Sequence, residues 1–204
     1  SDCNRSSSEG GEVSEVWLDP IAIDVGEVLQ RTQTSLYSHL VTRPTGRAVR
    51  MAIKTQLQGN SNRSFSLIDL SEVVILDFSC ADEVVAKLLE DSIQGESREE
   101  FFVFRGVHER HRGQVQTVLE RRGLAAVAET EPNKYSLLGQ RSAAEGRAWM
   151  ALEDAGLVTM GQIGTVFEER DQAAVSSLID RRLAFRSPSS GGIHALSGLV
   201  AQFF

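Results

Sequence analysis

The sequence is poor in cysteine, and its two thiols are badly placed for pairing. Cys3 sits in a polar tail and Cys80 in an apolar stretch, which argues against a disulfide framework and reads both as free thiols. Basic residues are outnumbered, with 21 Lys and Arg against 28 Asp and Glu and a formal net charge of −7. That balance argues against a protein that coats nucleic acid non-specifically, though it leaves room for a local DNA-binding face. No apolar run approaches the roughly 18–20 residues of a membrane span. The polar start from Ser1 to Gly11 does not have the basic-then-apolar form of a signal peptide, so a cytoplasmic protein with no membrane partner is expected. With 41% hydrophobic and 24% charged residues in 204, the composition is that of a globular chain long enough for one large or two small domains.

Residues 1–12 are rich in Ser, Gly and charge and lack apolar side chains, so a disordered tail is expected there. Val13, Val16, Trp17 and Leu18 suggest a short strand, and a weakly patterned helix follows between Val25 and His39. Between Thr45 and Leu57, Val49, Ala52, Ile53 and Leu57 recur at helical spacing. SFSLIDLSEVVILDF reads as two β-rich pieces around a turn near Ser71, and a helix is expected from Ala81 through Ile93. Residues 101–107, FFVFRGV, read as a buried strand. Residues 114–122 read as a helix stopped by Gly123. Strands at 125–128 and 135–138 flank the turn Glu131-Pro132-Asn133. The alternation of strand and helix through residues 45–128 predicts an α/β domain with a central mixed sheet and helices, spanning 13–140.

Within it, DLSEVVILDFSCADEVVAKLL (residues 69–89) places Asp77 at the end of a strand, with Ser79, Asp82 and Glu83 at a helix N-terminus. This stretch resembles the STAS-like families, whose strand, Asp and Ser-containing turn precede a helix used for docking. The turn Ser79-Cys80-Ala81-Asp82-Glu83 is similar to that of a STAS-like domain of unknown function, and residues 40–57 correspond to its upstream arginine-bearing helix. The likeness runs over about residues 13–128. It implies a non-catalytic regulatory protein that docks a kinase-like ATPase or an anti-sigma factor through Asp77, Ser79, Cys80, Asp82 and Glu83. In STAS antagonists the residue after the Asp is commonly a phosphorylatable Ser, and here it is Phe78. Ser79, one position later, reads first as a helix-capping serine; a phosphate there would repel acidic partners.

Residues 141–204 form a second unit. Ser142 to Glu145 has the capping-box form and opens a helix over 143–155; Thr159 to Gln162 repeats it before a short helix through Phe167. A third helix spans Gln172 to Arg182, and strands 183–186 and 193–196 flank the turn-rich SPSSGG. Three helices and a hairpin resemble a winged helix-turn-helix. That likeness implies a second protein- or DNA-contacting surface with Gln172, Ser176, Arg181 and Arg186 foremost. Six Arg and no Lys face seven acidic residues in this unit, which tempers the DNA reading.

Other constellations point to no chemistry. His108 and His111 lack a third ligand, and no metal is expected. Cys80 has no evident base, and Asp82 and Glu83, adjacent on a helix, diverge by about 100°. No GxGxxG, Walker or GxSxG pattern occurs, so no cofactor is expected. Arg43, Arg47 and Arg50 read as a solvated helix face before an anion site. The competing function is a sequence-specific DNA-binding transcription regulator with the α/β domain as sensor or dimeriser, which leaves a homo-oligomer open.

Overall fold

The computed structural model describes residues 18–32, 38–95 and 97–204. The tail expected over 1–12 and, but for Leu18, the strand expected over Val13 to Leu18 lie outside them. The first described strand, β1 (Asp19–Asp24), runs into α1 (Val25–Thr32), whose apolar Val25, Val28 and Leu29 are buried. His39, the far bound of the expected helix, belongs to β2 (His39–Leu40). Helix α2 (Arg43–Gln58) follows, with a proline in its first turn where a missing N–H costs nothing. Then come β3 (Arg63–Asp69) and β4 (Ile75–Leu76). Next, α3 (Phe78–Ala81), a π-helical segment Asp82–Lys87 and α4 (Leu88–Gln94) are contiguous in sequence. Strand β5 (Glu99–Arg105), helix α5 (Glu109–Arg121) and the hairpin β6 (Ala125–Glu131) and β7 (Lys134–Gly139) complete the α/β part.

The central sheet is mixed and ordered β1-β3-β5-β6-β7, parallel except for the antiparallel edge β7. Side chains alternate across it, as a pleated sheet requires. Ile68, Phe102, Phe104, Ala126, Ala128 and Leu138 pack under α1, α2, the 78–94 helical run and α5. Phe65, Leu67, Phe101, Val103, Val127 and Leu137 face the other way and share a core with Trp149, Leu152, Leu178, Phe185 and Leu199. Residues 141–204 thus cover the second face of the same sheet. In that unit, α6 (Ala143–Ala155), β8 (Leu157–Val158), a 3-10 turn and α7 (Ile163–Val166) precede α8 (Gln172–Asp180). The hairpin β9 (Ala184–Arg186) and β10 (Ile193–Ala195) then leads to α9 (Leu196–Phe203), and β8-β10-β9 form a small antiparallel sheet.

Several boundaries differ from expectation for local reasons. The second β-rich piece shrinks to two residues that pair with β2, away from the main sheet. The helix expected from Ala81 begins at Phe78, because the Asp77 carboxylate accepts the Cys80 N–H at 2.7 Å and caps it there. Asp77, not Ser79, is therefore the capping side chain. His108 stands at the N-cap of α5, whose expected start at Gln114 moves back to Glu109, and His111 is buried on the face it shares with Val115, Val118 and Leu119. The capping box of Ser142 and Glu145 forms as expected, with reciprocal bonds of 3.0 and 2.8 Å.

Where β3 and β5 end, two chains nearly touch. A Cβ on Gly106, whose φ is +70°, would lie 2.4 Å from Ser71 Oγ. Gly106→Ala should cost more than about 3 kcal/mol through positive-φ strain and overlap. Gly113→Ala, in α5 with nothing within 4 Å, should gain about 0.5–1 kcal/mol. Urea unfolding midpoints of the two variants should move in opposite directions.

Candidate functional site

The turn between β4 and α3 is built on one carboxylate. Asp77 Oδ1 accepts the Cys80 N–H at 2.7 Å and the Ser79 hydroxyl at 2.8 Å, while Oδ2 accepts the Thr42 N–H at 2.8 Å. Burial pushes this carboxyl up, but the bonds donated by Cys80, Thr42 and Ser79 outweigh it and hold it below the ordinary range. Thr42 has a φ of 71°, a strained value for a β-branched residue. Asp77 fixes its N–H, and the Cys80 thiol donates to its carbonyl at 3.0 Å. Gly46 lets α2 come this close, since a Cβ there would lie 3.0 Å from both Cys80 Cα and Glu83 Cβ. Burial and the nearby Asp77 charge push the Cys80 thiol up to about 12, which leaves it protonated and a poor nucleophile.

Below the turn, the 78–94 helical run is clamped on both sides. Glu83 has no solvent exposure, and its carboxylate receives Arg43 at 2.9 Å, Arg50 at 3.1 Å and Lys87 at 2.6 Å. Asp82 diverges from it and takes Arg122 of α5 at 2.6 Å and Arg43 at 2.8 Å. Arg50 and Lys54 also meet Asp91, and Arg122 also meets Glu90. Burial raises both the Asp82 and Glu83 carboxyls, but the cations win. Arg122 and Arg43 hold Asp82 at about 2, and Lys87, Arg43 and Arg50 keep Glu83 below its ordinary value. Arg43 and Arg50 are therefore ion-paired, while Arg47 stays exposed with no carboxylate partner among the described residues. The π-helical form of Asp82–Lys87 is of a kind often found at functional sites.

The five residues singled out in this turn thus come together, but mostly as a frame. What faces solvent above them is apolar: Val41, Val74, Ile75 and Phe78 are 37–51% exposed. They are neighbours because β2 and β4 pair, with Leu40 opposite Leu76, and Asp77 N–H donates to the Leu40 carbonyl at 3.0 Å. Arg43 follows Val41 by two residues at the start of α2, and Arg47 lies one turn further along the same helix. Arg110 reaches the patch from α5 by donating to the Val73 carbonyl at 3.4 Å, and the buried His111 ring lies 3.0 Å from the same oxygen. Burial, with Arg110 and His108 close by, lowers the His111 pKa despite that contact. Sequence reasoning missed the patch; the available signal was Phe78 at the position after the strand-ending Asp.

In the C-terminal unit, Gln172 and Ser176 are exposed on α8, and Arg186 is exposed at the end of β9. Arg181 is occupied: it contacts both Glu145 oxygens at 3.0 Å and donates to the Gln140 carbonyl at 2.7 Å. Arg182 bonds to the Ser92 carbonyl at 2.8 Å and so ties this unit to α4. A separate hollow of 380 Å³ opens at the carboxyl ends of β3, β5 and β6, lined by Ser71, Arg105, Gly106, His108, Glu129 and Thr130 among others. Arg105 stands in register between Asp69 and Glu129 and is ion-paired to Glu129, so this hollow presents a neutralised guanidinium. Among the described residues no group of three or more His, Cys, Asp or Glu is arranged to hold a metal, and no helix is long and apolar enough to cross a membrane.

Glu83→Gln should destabilise the fold by about 1–3 kcal/mol, because the part-buried Arg50 and Lys87 lose a charged acceptor while the half-exposed Arg43 keeps Asp82. Since Asp82 and Glu83 titrate lower in the folded chain, their contribution is complete above the unfolded values of 3.8 and 4.5 and is lost as pH falls below them, for Asp82 through about 2. Asp82→Asn should flatten that part of a pH-dependent unfolding curve. In a Cys3→Ser background, Cys80 should resist a thiol-specific disulfide reagent at pH 8 until the protein is unfolded. No family model, curated protein or solved structure matches the chain.

Proposed function

We propose that this chain is a non-catalytic regulatory protein that docks a protein partner through the tip of the β4–α3 turn. The observation that carries this reading is the division of labour at the turn. Its carboxylates and thiol are satisfied internally, while Val41, Val74, Ile75 and Phe78 remain exposed on the frame they build. The STAS-like resemblance of residues 69–89 supports the same surface and suggests a kinase-like ATPase or an anti-sigma factor as partner. Within the docking set, Asp77, Asp82 and Glu83 position the surface, and Phe78 is the contact to add.

Residues 141–204 serve as a second contacting module. Their order of helix, strand, two helices and a hairpin supports the winged-helix reading. The exposed side of α8, with Gln172, Ala173, Ser176 and Asp180, carries no cation, which favours a protein over a duplex. The alternative, sequence-specific DNA binding with a sensor domain, puts Arg181 and Arg186 near phosphates; Arg186 is exposed, but Arg181 is already held by Glu145.

The test is capture of partners on immobilised wild type, Phe78→Asp and Ile75→Asp proteins, with nuclease treatment in parallel. A protein should be retained by wild type after nuclease. Once purified, it should bind the Phe78→Asp variant at least about tenfold more weakly, a loss of about 1.4 kcal/mol. Capture of duplex DNA that is indifferent to Phe78→Asp and lost with Arg186→Glu would replace the docking reading with the transcriptional one.

A further inference from the structure

We propose that the docking tip receives a short acidic segment of its partner, with apolar side chains on Val41, Val74, Ile75 and Phe78 and carboxylates at the arginines beside them. This inference deepens the docking reading and rests on it. The apolar part needs an apolar counterpart, since four side chains 37–51% exposed gain by leaving water together. The rim decides the charge. Arg47 is exposed with no carboxylate partner among the described residues, and Arg110 is exposed with only hydrogen bonds to Val73 and His111. Arg43 spends one terminal nitrogen on Asp82 and Glu83, and its side chain is still 48% exposed.

Of the acidic residues nearby, the three in the turn itself do not offset this rim. Asp77, Asp82 and Glu83 are turned inward onto their own partners. Glu72 is the exception, exposed and without a cation partner among the described residues, and Glu109 pairs with Arg112 at 3.8 Å. A chain with a formal charge of −7 therefore presents guanidinium groups beside an apolar patch at this turn. Arginine suits such a rim, because its planar fork matches a carboxylate and it is weakly hydrated for a cation.

The experiment measures fluorescence anisotropy of two labelled peptides with one leucine pattern, glutamate filling the remaining positions in one and lysine in the other. Wild type should bind the glutamate peptide at least about fivefold tighter at low salt, and added salt should narrow the gap. Arg47→Glu combined with Arg110→Glu should abolish or invert the preference; both side chains are exposed, so the fold should survive. Phe78→Ser should weaken both peptides, and Arg186→Glu should change neither. Equal binding of the two peptides, a lysine preference, or indifference to the double arginine variant overturns the acidic partner. If Phe78→Ser still weakens both peptides in that case, docking stands with a different chemistry. Failure of both peptides to bind overturns the inference and leaves docking to be judged by the purified captured protein. Concentration-dependent self-association lost in Phe78→Ser would also overturn it, by giving the patch to a second copy of the chain.

Discussion

The buried Glu83 carboxylate is the constraint on which the α/β layer depends. An isolated charge cannot stay ionised away from water, so its burial obliges Arg43, Arg50 and Lys87 to converge on it. Two of these cations come from α2 and one from the helical segment that carries Glu83 itself. Asp82, next in the chain and diverging by about 100°, extends the same logic to Arg122 on α5. Two adjacent carboxylates thus lock one helical segment to both neighbours, which a single acidic residue could not do. Ion pairs of this kind need not raise stability above an apolar alternative, and their stronger effect here is to fix which helix faces lie together.

The same economy governs the second face of the sheet. Phe65, Phe101 and Val127 need cover, and α6, α8 and α9 supply it through Trp149, Leu178 and Leu199. Polar staples then set the register of that cover. The Glu145 carboxylate closes the capping box by accepting the Ser142 N–H and also holds Ser177 and Arg181 of the α8 region, while Arg182 reaches across to Ser92. An arginine that looks like a phosphate contact in sequence becomes an internal strut once these partners are in place.

The legible parts of the sequence were those whose cause is local. The capping box at Ser142, the apolar stripe of α2 and the run FFVFRGV each announce their structure within a few residues, and each formed about where expected. The illegible parts depend on distance along the chain. Glu83 meets Arg50 and Arg43 across 33 and 40 residues, so nothing near DEVVAK signals a buried carboxylate. Val74 and Ile75 read as part of a β-rich piece, as a run of three β-branched residues usually does. They are exposed because β4 leaves the main sheet to pair with β2. The hairpin of the C-terminal unit was visible from its turn, but β8 and α9 were not: β8 has two residues, and α9 follows β10 without a break.

The strained Thr42 shows why frame and surface belong together. A threonine at positive φ is tolerated only where surrounding contacts overdetermine it, and here Asp77 and Cys80 hold both of its peptide groups. That grip fixes Val41 before it and Arg43 after it, the latter also held by Asp82 and Glu83. An apolar contact and a cation are therefore set in place before any partner arrives. Binding then costs less ordering entropy than it would on a loose loop, which lets a patch of only four apolar side chains serve as an anchor.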